Sequence, residues 1–159
     1  MVSNIETPLG EAFYEIINGN LISFSFQKPE KISLTTTEQC RITEAKLKQE
    51  IHFYFEGKLK QFSIPLEISG TEFQKTVWNE INEIAFGDTL SYLQLAIKLN
   101  KINASRAVGN ATGNNKILLI IPCHRLVGAS GKLTGYAGGV KRKVFLLNHE
   151  SYYSGKSLF

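Results

Sequence analysis

Short apolar runs separated by turn residues dominate the first part of the chain. Residues 12–17 and 21–26 are rich in aromatic and β-branched side chains, and Asn18-Gly19 stands between them. Asn-Gly is the pair that a two-residue hairpin turn favours, because both of its central positions need a positive φ. The chain is therefore predicted to open with a β-hairpin.

A helical repeat follows the hairpin. Residues 37–55 carry apolar side chains at helical spacing, and Gly57 ends the pattern. Residues 61–68 are apolar-rich again and predict another strand. Residues 1–70 are therefore predicted to form a small α/β domain, consisting of a sheet and a helix.

The pattern changes after Ser69-Gly70, where helical spacing takes over. Thr71 is a suitable N-cap for a helix that runs to about residue 84. Residues 92–99 and 104–112 form two shorter helical segments joined by a tight turn. Such a pair predicts a helix-turn-helix, in which the second helix meets nucleic acid.

The last part of the chain joins an apolar run to a polar loop. Residues 117–121 are all apolar, which predicts a buried strand or a tight connection. They end at Pro122-Cys123-His124-Arg125, and a glycine-rich loop follows. Residues 141–148 predict a last helix, and the polar residues 151–159 predict a loosely held tail. Residues 71–159 are thus expected to be mainly helical, which makes the chain α+β.

Composition limits the class of protein. The chain has 159 residues, of which 43% are hydrophobic, enough for one compact domain or two small ones. It has no apolar run of about 18 residues that could span a membrane. Its first residues lack the pattern of a secretory signal. We therefore expect a cytoplasmic protein, or a nuclear one in a eukaryote.

Charge is distributed unevenly along the chain. Residues 1–70 carry seven basic and nine acidic residues, whereas residues 71–159 carry eleven basic and five acidic ones. No acidic residue occurs between Thr89 and His149. Such a stretch favours a polyanionic partner, and nucleic acid is the first candidate. An ordinary basic surface remains the alternative at this point.

The two cysteines differ in their surroundings. Cys40 and Cys123 together with three histidines match no usual zinc spacing, so we expect no metal site. Cys40 is predicted to be a small buried hydrophobe. Cys123 follows a buried run and precedes His124, so the thiolate could be a nucleophile with a base beside it.

Adjacency of Cys123 and His124 poses a geometric problem. Neighbouring side chains on an extended strand point apart, so either the chain turns at Pro122-Cys123 or a water bridges thiol and imidazole. Glu150 is the only acid in the last seventy residues and could orient the imidazole. A buried cysteine beside a surface histidine, with no chemistry, stays open on these residues alone.

Several motifs together resemble one family. Ile121-Pro122-Cys123-His124-Arg125 resembles the active-site signature of the O6-alkylguanine-DNA alkyltransferases, the methylated-DNA–protein-cysteine methyltransferases. Four further segments are similar in order and spacing: residues 73–78, 87–92, 106–111 and 135–139. The resemblance covers about residues 71–150 closely. It implies a ribonuclease H-like first domain and a winged-helix-like second one.

The resemblance also implies roles in chemistry. Cys123 would accept an alkyl group, His124 would act as its base through a water, and Glu150 would hold the imidazole. Asn115 would brace the turn before the active site, and Tyr136 would donate a hydrogen bond to guanine. The implied reaction uses no cofactor and occurs once per molecule.

Further residues would contact DNA. Arg106 would enter the base stack in place of a flipped nucleotide, and Tyr92 would contact the adjacent phosphate. The implied partner is duplex DNA that contains O6-alkylguanine or the related lesion O4-alkylthymine. The protein would act as a monomer and contact this DNA through the minor groove. The other residues assigned to this contact are Ala104, Ser105, Ala107, Arg125, Ala137 and Gly138.

The chain departs from the family pattern at one position, and three alternative functions are considered. Ala137 stands where many members have serine, so only the backbone could serve there. A non-catalytic binder of alkylated DNA would lack Cys123. A Cys–His hydrolase would turn over repeatedly. A sequence-reading regulator needs longer side chains than Ala104, Ser105 and Ala107 on its recognition helix.

Overall fold

The computed structural model describes residues 1–156. The chain forms two compact units, one of residues 1–69 with 116–120, the other of residues 70–115 with residues from 121 onward. The first division falls between Ser69 and Gly70. Residues 116–120 belong to the first unit although they follow most of the second unit in the chain.

The first unit is built on an antiparallel sheet of three strands in the order β1-β2-β3. Asn18 and Gly19 connect β2 to β3, with φ of 49° and 82°. Both values are left-handed, as the predicted Asn-Gly hairpin requires. The first strand was not predicted. The strands are β1 (Val2–Thr7), β2 (Gly10–Ile17) and β3 (Asn20–Ser25).

Helix α1 (Glu38–Phe55) covers this sheet and contacts β2 and β3. Thr37 caps it by accepting a hydrogen bond from the backbone of Cys40 at 3.3 Å. Gly57 ends it with a φ of 74°, as its position in the sequence predicts. Leu47 and other apolar side chains on the inner face of α1 are buried and form the core with the sheet.

The predicted strand over residues 61–68 is wrong. These residues make a single bridge, in which Leu21 bonds to Pro65 and Glu67 on either side of Leu66. Pro65 has no N–H to donate, so a continuous ladder cannot form through it.

The apolar run over residues 117–121 is a tight connection rather than a regular strand. Phe24 exchanges backbone hydrogen bonds of 2.9 Å with Lys116 and Leu118. Leu119 then takes a φ of 69°, which breaks the extended conformation. This pairing with β3 explains why residues 116–120 belong to the first unit.

The second unit is mainly helical. Each of the first two helices begins with a capping box, formed by Thr71 with Gln74 and by Ser91 with Gln94. Two strands of two residues each pair in parallel, one just before α3 and the other between α4 and α5 in the chain. The elements are α2 (Glu72–Asn82), β4 (Leu90–Ser91), α3 (Tyr92–Lys98), α4 (Ser105–Gly113), β5 (Leu126–Val127) and α5 (Val140–Ser154).

Helices α3 and α4 pack as a helix-turn-helix. Leu95 and Val108 are fully buried between them, and a 3₁₀ turn over Ile102–Ala104 joins them. Trp78 of α2 anchors the pair from behind, because its indole N–H donates to the carbonyl of Ala111 at 2.8 Å. The mixed α+β class with a helical second part is confirmed.

Helix α5 is longer than predicted. It continues past residue 148 to Ser154, where Gly155 ends it with a φ of 69°. The predicted loose tail over residues 151–159 is therefore wrong for 151–154, and residues 157–159 lie outside the described residues. None of the described helices is long and apolar enough to cross a membrane.

Candidate active site

The backbone turns sharply at Cys123. The amide of Cys123 donates to the carbonyl of Ile121 at 2.8 Å, and the amide of Arg125 donates to that of Pro122 at 2.9 Å. Residues 123–125 form one 3₁₀ turn. The chain therefore turns at Pro122-Cys123, so the side chains of Cys123 and His124 are not on opposite faces of an extended strand. Cys123 is 3% exposed within this turn.

Asn115 lies directly against the Cys123 sulfur. Its side-chain amide donates to the carbonyl of Ile121 at 3.0 Å and to Sγ of Cys123 at 3.2 Å. A donor aimed at sulfur favours the thiolate over the thiol. Asn115 thus holds the turn and partly prepares the sulfur for ionisation.

His124 and Glu150 form a buried pair. Nε2 of His124 lies 2.8 Å from Oε1 of Glu150, and the two side chains are 0% and 1% exposed. Burial alone would raise the pKa of Glu150, but His124 and Arg125 outweigh it and hold this pKa far below its usual range. The carboxylate is therefore an anion throughout the neutral pH range.

The imidazole of His124 is neutral. Burial lowers its pKa, although Glu150 partly opposes that shift. A neutral imidazole beside a carboxylate carries its proton on Nε2, so Nδ1 keeps the lone pair. Among the described residues nothing hydrogen-bonds this buried Nδ1 atom. His124 can therefore accept a proton at Nδ1.

Arg125 does not face solvent, and its predicted contact with DNA is wrong. Its guanidinium donates to both carboxylate oxygens of Glu150, at 2.8 and 2.9 Å, and to the carbonyl of Ile84 at 2.6 Å. The residue is only 6% exposed. A phosphate cannot compete for donors that are buried and bonded to a carboxylate.

Tyr136 packs edge-on against the His124 ring, with centroids 6.4 Å apart. Gly138 makes this possible, since a Cβ at that position would lie 2.5 Å from the tyrosine ring. Ala137 between them is exposed. The glycine-rich loop thereby brings one aromatic side chain to the histidine.

Most of the residues assigned to DNA are exposed or half-buried in the same unit, but Gly138, like Arg125, is buried. Arg106 and Ala107 of α4 are exposed, whereas Ala104 and Ser105 before them are half-buried. Tyr92 and Ser105 both line an open cleft of about 670 Å³, bounded also by residues 127–131. Of the residues assigned to DNA, Tyr92 and Ser105 thus line this cleft, and Arg106 lies exposed on the helix that Ser105 begins.

Cys123 is a protonated thiol in this resting state. Burial raises its pKa to about 11, although Asn115 and Lys143 act in the opposite direction. Reaction as a thiolate therefore requires removal of the proton when a substrate is present.

Lys143 is a part of the site that we did not predict from the sequence. It is fully buried, and its ammonium group donates to the backbone carbonyls of Leu126, Thr134 and Gly135. One signal could have found it: Lys143 shares helical register with the buried residues Leu146, Leu147 and Glu150. A lysine on the apolar face of a helix is unusual unless it has a role.

No cluster of three potential metal ligands occurs among residues 1–156. The groups that meet around Cys123 are instead a base, a carboxylate, two cations and an amide. This arrangement can ionise a thiol inside a protected site and hold the resulting proton.

Known proteins share this sequence and fold. A family model described as the DNA-binding domain of 6-O-methylguanine DNA methyltransferase matches residues 72–152. A methylated-DNA–protein-cysteine methyltransferase of Methanosarcina acetivorans is 50% identical over 102 residues, or 64% of this chain. An inducible one of Bacillus subtilis is 49% identical over 107 residues, or 67% of this chain. The matched stretches span 65% and 60% of those two relatives, less than two thirds of either.

A solved structure covers more of the chain. The crystal structure of Mycobacterium tuberculosis OGT in complex with DNA superposes with a TM-score of 0.84 and 34% identity. It covers 96% of this chain and 93% of that protein. The resemblance inferred from the sequence motifs is confirmed: the chain belongs to the methylated-DNA–protein-cysteine methyltransferase family.

Proposed function

We propose that this protein repairs duplex DNA by transferring the alkyl group of an O6-alkylguanine to Sγ of Cys123, once per molecule. The observation that carries the proposal is the buried Cys123 thiol, held by Asn115 beside the His124–Glu150 pair, inside the segment that matches the family. Names of related proteins supply the reaction class. The related lesion O4-alkylthymine would react at the same sulfur.

The reaction is a displacement at carbon. The thiol proton passes through a bound water to Nδ1 of His124, and Glu150 stabilises the imidazolium. Sγ then attacks the alkyl carbon, so that an S–C bond forms as the C–O6 bond breaks. The bonding electrons leave with guanine, whose developing charge is met by a hydrogen bond from Tyr136.

The proton balance closes on guanine. Over the whole reaction the thiol proton of Cys123 ends on the guanine. The DNA therefore keeps an ordinary, unalkylated guanine. The protein keeps a thioether, which offers water no good leaving group. The protein is therefore consumed, and no cofactor is needed.

The O6 atom lies inside a base pair, so the nucleotide must leave the stack before Cys123 can reach it. Exposed Arg106 would fill the gap, and Tyr92 beside the cleft would contact the neighbouring phosphate. Short side chains at residues 104, 105 and 107 would let α4 lie close in the minor groove. The backbone of Ala137 and Gly138 would close over the base. Exposed lysines that can contact phosphates are Lys98, Lys101 and Lys132.

We further propose that one chain acts alone in the cytoplasm. All groups assigned to the chemistry lie in the second unit of a single chain. Cys40 and Cys123 are both free thiols, and a nucleophilic Cys123 requires a reducing compartment.

The proposal is tested by incubating the protein with a duplex that contains O6-methylguanine and measuring the intact mass. We expect a gain of one methyl group, on the peptide that contains Cys123, in proportion to the protein added. Cys123→Ala should gain nothing, whereas Cys40→Ala should react like the parent. Repeated turnover with an unmodified protein would instead identify a hydrolase and contradict the proposal.

A further inference from the structure

Lys143 is a buried cation that the mechanism above does not use. Its side chain is fully buried in the second unit, and its three hydrogen bonds go to neutral carbonyl groups. Within the described residues it forms no ion pair with a carboxylate. A buried charge without a counter-ion is costly, so its presence calls for a physical reason.

A count of charges around Cys123 supplies that reason. Glu150 is an anion, and Arg125 binds both of its oxygens, so these two charges compensate each other. His124 is neutral because it is buried. With Cys123 as a thiol, the site therefore carries one positive charge, that of Lys143. With Cys123 as a thiolate, the same site is neutral.

We propose that Lys143 is the counter-charge of the Cys123 thiolate, a positioning residue whose ammonium group stabilises the reactive form of the sulfur. This inference rests on the function proposed above, because it concerns the nucleophile of that reaction. Lys143 acts through its field on Cys123 and does not itself contact the alkyl group.

Lys143 lies beside the turn that carries Cys123, because its ammonium group donates to the carbonyl of Leu126, whose own amide donates to the carbonyl of Cys123. The electrostatics agree with this geometry. Lys143 lowers the pKa of Cys123 against the larger effect of burial. Burial in turn lowers the pKa of Lys143, and Cys123 opposes that shift. Nζ of Lys143 also lies 6.0 Å from the centre of the Tyr92 ring, and burial and Cys123 both raise the pKa of that phenol.

Other ionisable groups near Cys123 cannot serve as the counter-charge of its thiolate. Arg125 is already bonded to a carboxylate, and His124 becomes charged only when it has taken the thiol proton. The two tyrosines carry no positive charge. The titratable groups of the site are Tyr92 of α3, His124 and Arg125 of the 3₁₀ turn, Tyr136 of the glycine-rich loop, and Lys143 and Glu150 of α5.

A purely structural role for Lys143 makes a different prediction. Its bonds to Thr134 and Gly135 hold the loop just before Tyr136, so its loss could disturb that loop. Such damage would slow the reaction at every pH. Loss of a counter-charge would instead shift the pH at which the sulfur ionises and leave the rate of the thiolate unchanged.

The experiment measures the rate of Cys123 alkylation by iodoacetamide as a function of pH, in a Cys40→Ala background. Lys143→Met should raise the midpoint of the profile by about one pH unit or more, while the alkaline plateau stays. At neutral pH the rate should then fall about tenfold. Lys141→Met, which removes an exposed charge from the same helix, should leave the midpoint unchanged. Lys143→Arg keeps the charge, so its midpoint should stay close to that of the parent.

An unshifted midpoint in Lys143→Met would overturn the inference, whether or not the plateau falls. A second measurement covers the case in which this variant does not fold. The carbon-13 signal of Lys143 Cε reports the pH at which the ammonium group loses its proton, and this pH should be lower in Cys123→Ala than in the parent, because the thiolate favours the ammonium form. Equal values in the two folded proteins would also overturn the inference.

The two proposals can fail separately. If the midpoint shifts but the parent never takes up methyl from O6-methylguanine in a duplex, the proposed function fails and the counter-charge stands. If the parent takes up methyl and the midpoint of Lys143→Met equals that of the parent, the proposed function stands and Lys143 is not the counter-charge of the thiolate.

Discussion

Glu150 joins the chemistry of the site to its stability. One carboxylate accepts hydrogen bonds from His124, from Arg125 and, at 3.3 Å, from the backbone amide of Gly87. These partners come from two segments of the second unit, the 3₁₀ turn and the loop after α2, while Glu150 itself lies on α5. The residue that orients the proposed base therefore also ties those segments together, and its charge matters for folding as well as for reactivity.

Replacing Glu150 by Gln should destabilise the protein in a pH-dependent way. The buried Arg125 would lose its anion, which costs about 3 kcal/mol or more of the free energy of unfolding at neutral pH. Because the folded-state pKa of Glu150 lies far below its unfolded value, its contribution is complete above about pH 4.3 and is lost as the pH falls further.

Urea unfolding of the parent and of Glu150→Gln at neutral and acidic pH checks this. The difference between the two should shrink as the pH falls below about 4. Glu83→Gln, which removes an exposed carboxylate from the end of α2, is the matched control and should show little difference. A gap between parent and Glu150→Gln that stays constant on acidification would contradict the expected linkage.

Helices were predicted well from the sequence because their signals are local. Thr71 and Ser91 are recognisable caps, and apolar periodicity fixes the buried faces of α2 and α3. Strands β4 and β5 have only two residues each, too few to show any period. The false strand over residues 61–68 was apolar enough, but Pro65 interrupts its pairing.

The capping box at the start of α2 should contribute measurably to stability. The Thr71 hydroxyl accepts from the amide of Gln74 at 3.1 Å, and the Gln74 side chain accepts from the amide of Thr71 at 3.0 Å. Thr71→Ala should lower the free energy of unfolding by about 1 kcal/mol, since one of these bonds is lost. Thr71→Ser keeps the hydroxyl and should match the parent. Equal loss in both variants, measured by urea unfolding, would mean that the methyl group matters and the cap does not.

At the scale of the whole molecule, the stretch without acidic residues between Thr89 and His149 supplies both exposed and buried cations. Arg125 and Lys143 belong to it but are buried around the active site, so they add nothing to the surface available to DNA. Charge counting along a sequence cannot separate such residues from exposed ones, because burial depends on how the chain folds. In the sequence, two signals indicate that these side chains are buried. They are the helical register of Lys143 and the place of Arg125 in the Pro-Cys-His-Arg motif before Leu126. Arg106 is exposed and is therefore available to fill the gap that an extruded nucleotide would leave.

Arg106→Ala therefore separates access to the base from the chemistry that follows. Extruding a nucleotide costs a few kcal/mol, and a side chain that fills the gap offsets part of that cost. We expect repair of O6-methylguanine in a duplex to slow by about tenfold or more. Reaction with free O6-benzylguanine, which needs no extrusion, should be unchanged.

Lys101→Ala, which removes one exposed charge near α4, should weaken duplex binding only slightly and reduce its salt dependence. Single-turnover rates on both substrates decide the matter: equal loss on duplex and free base would place the effect of Arg106 in the active site rather than in the base stack.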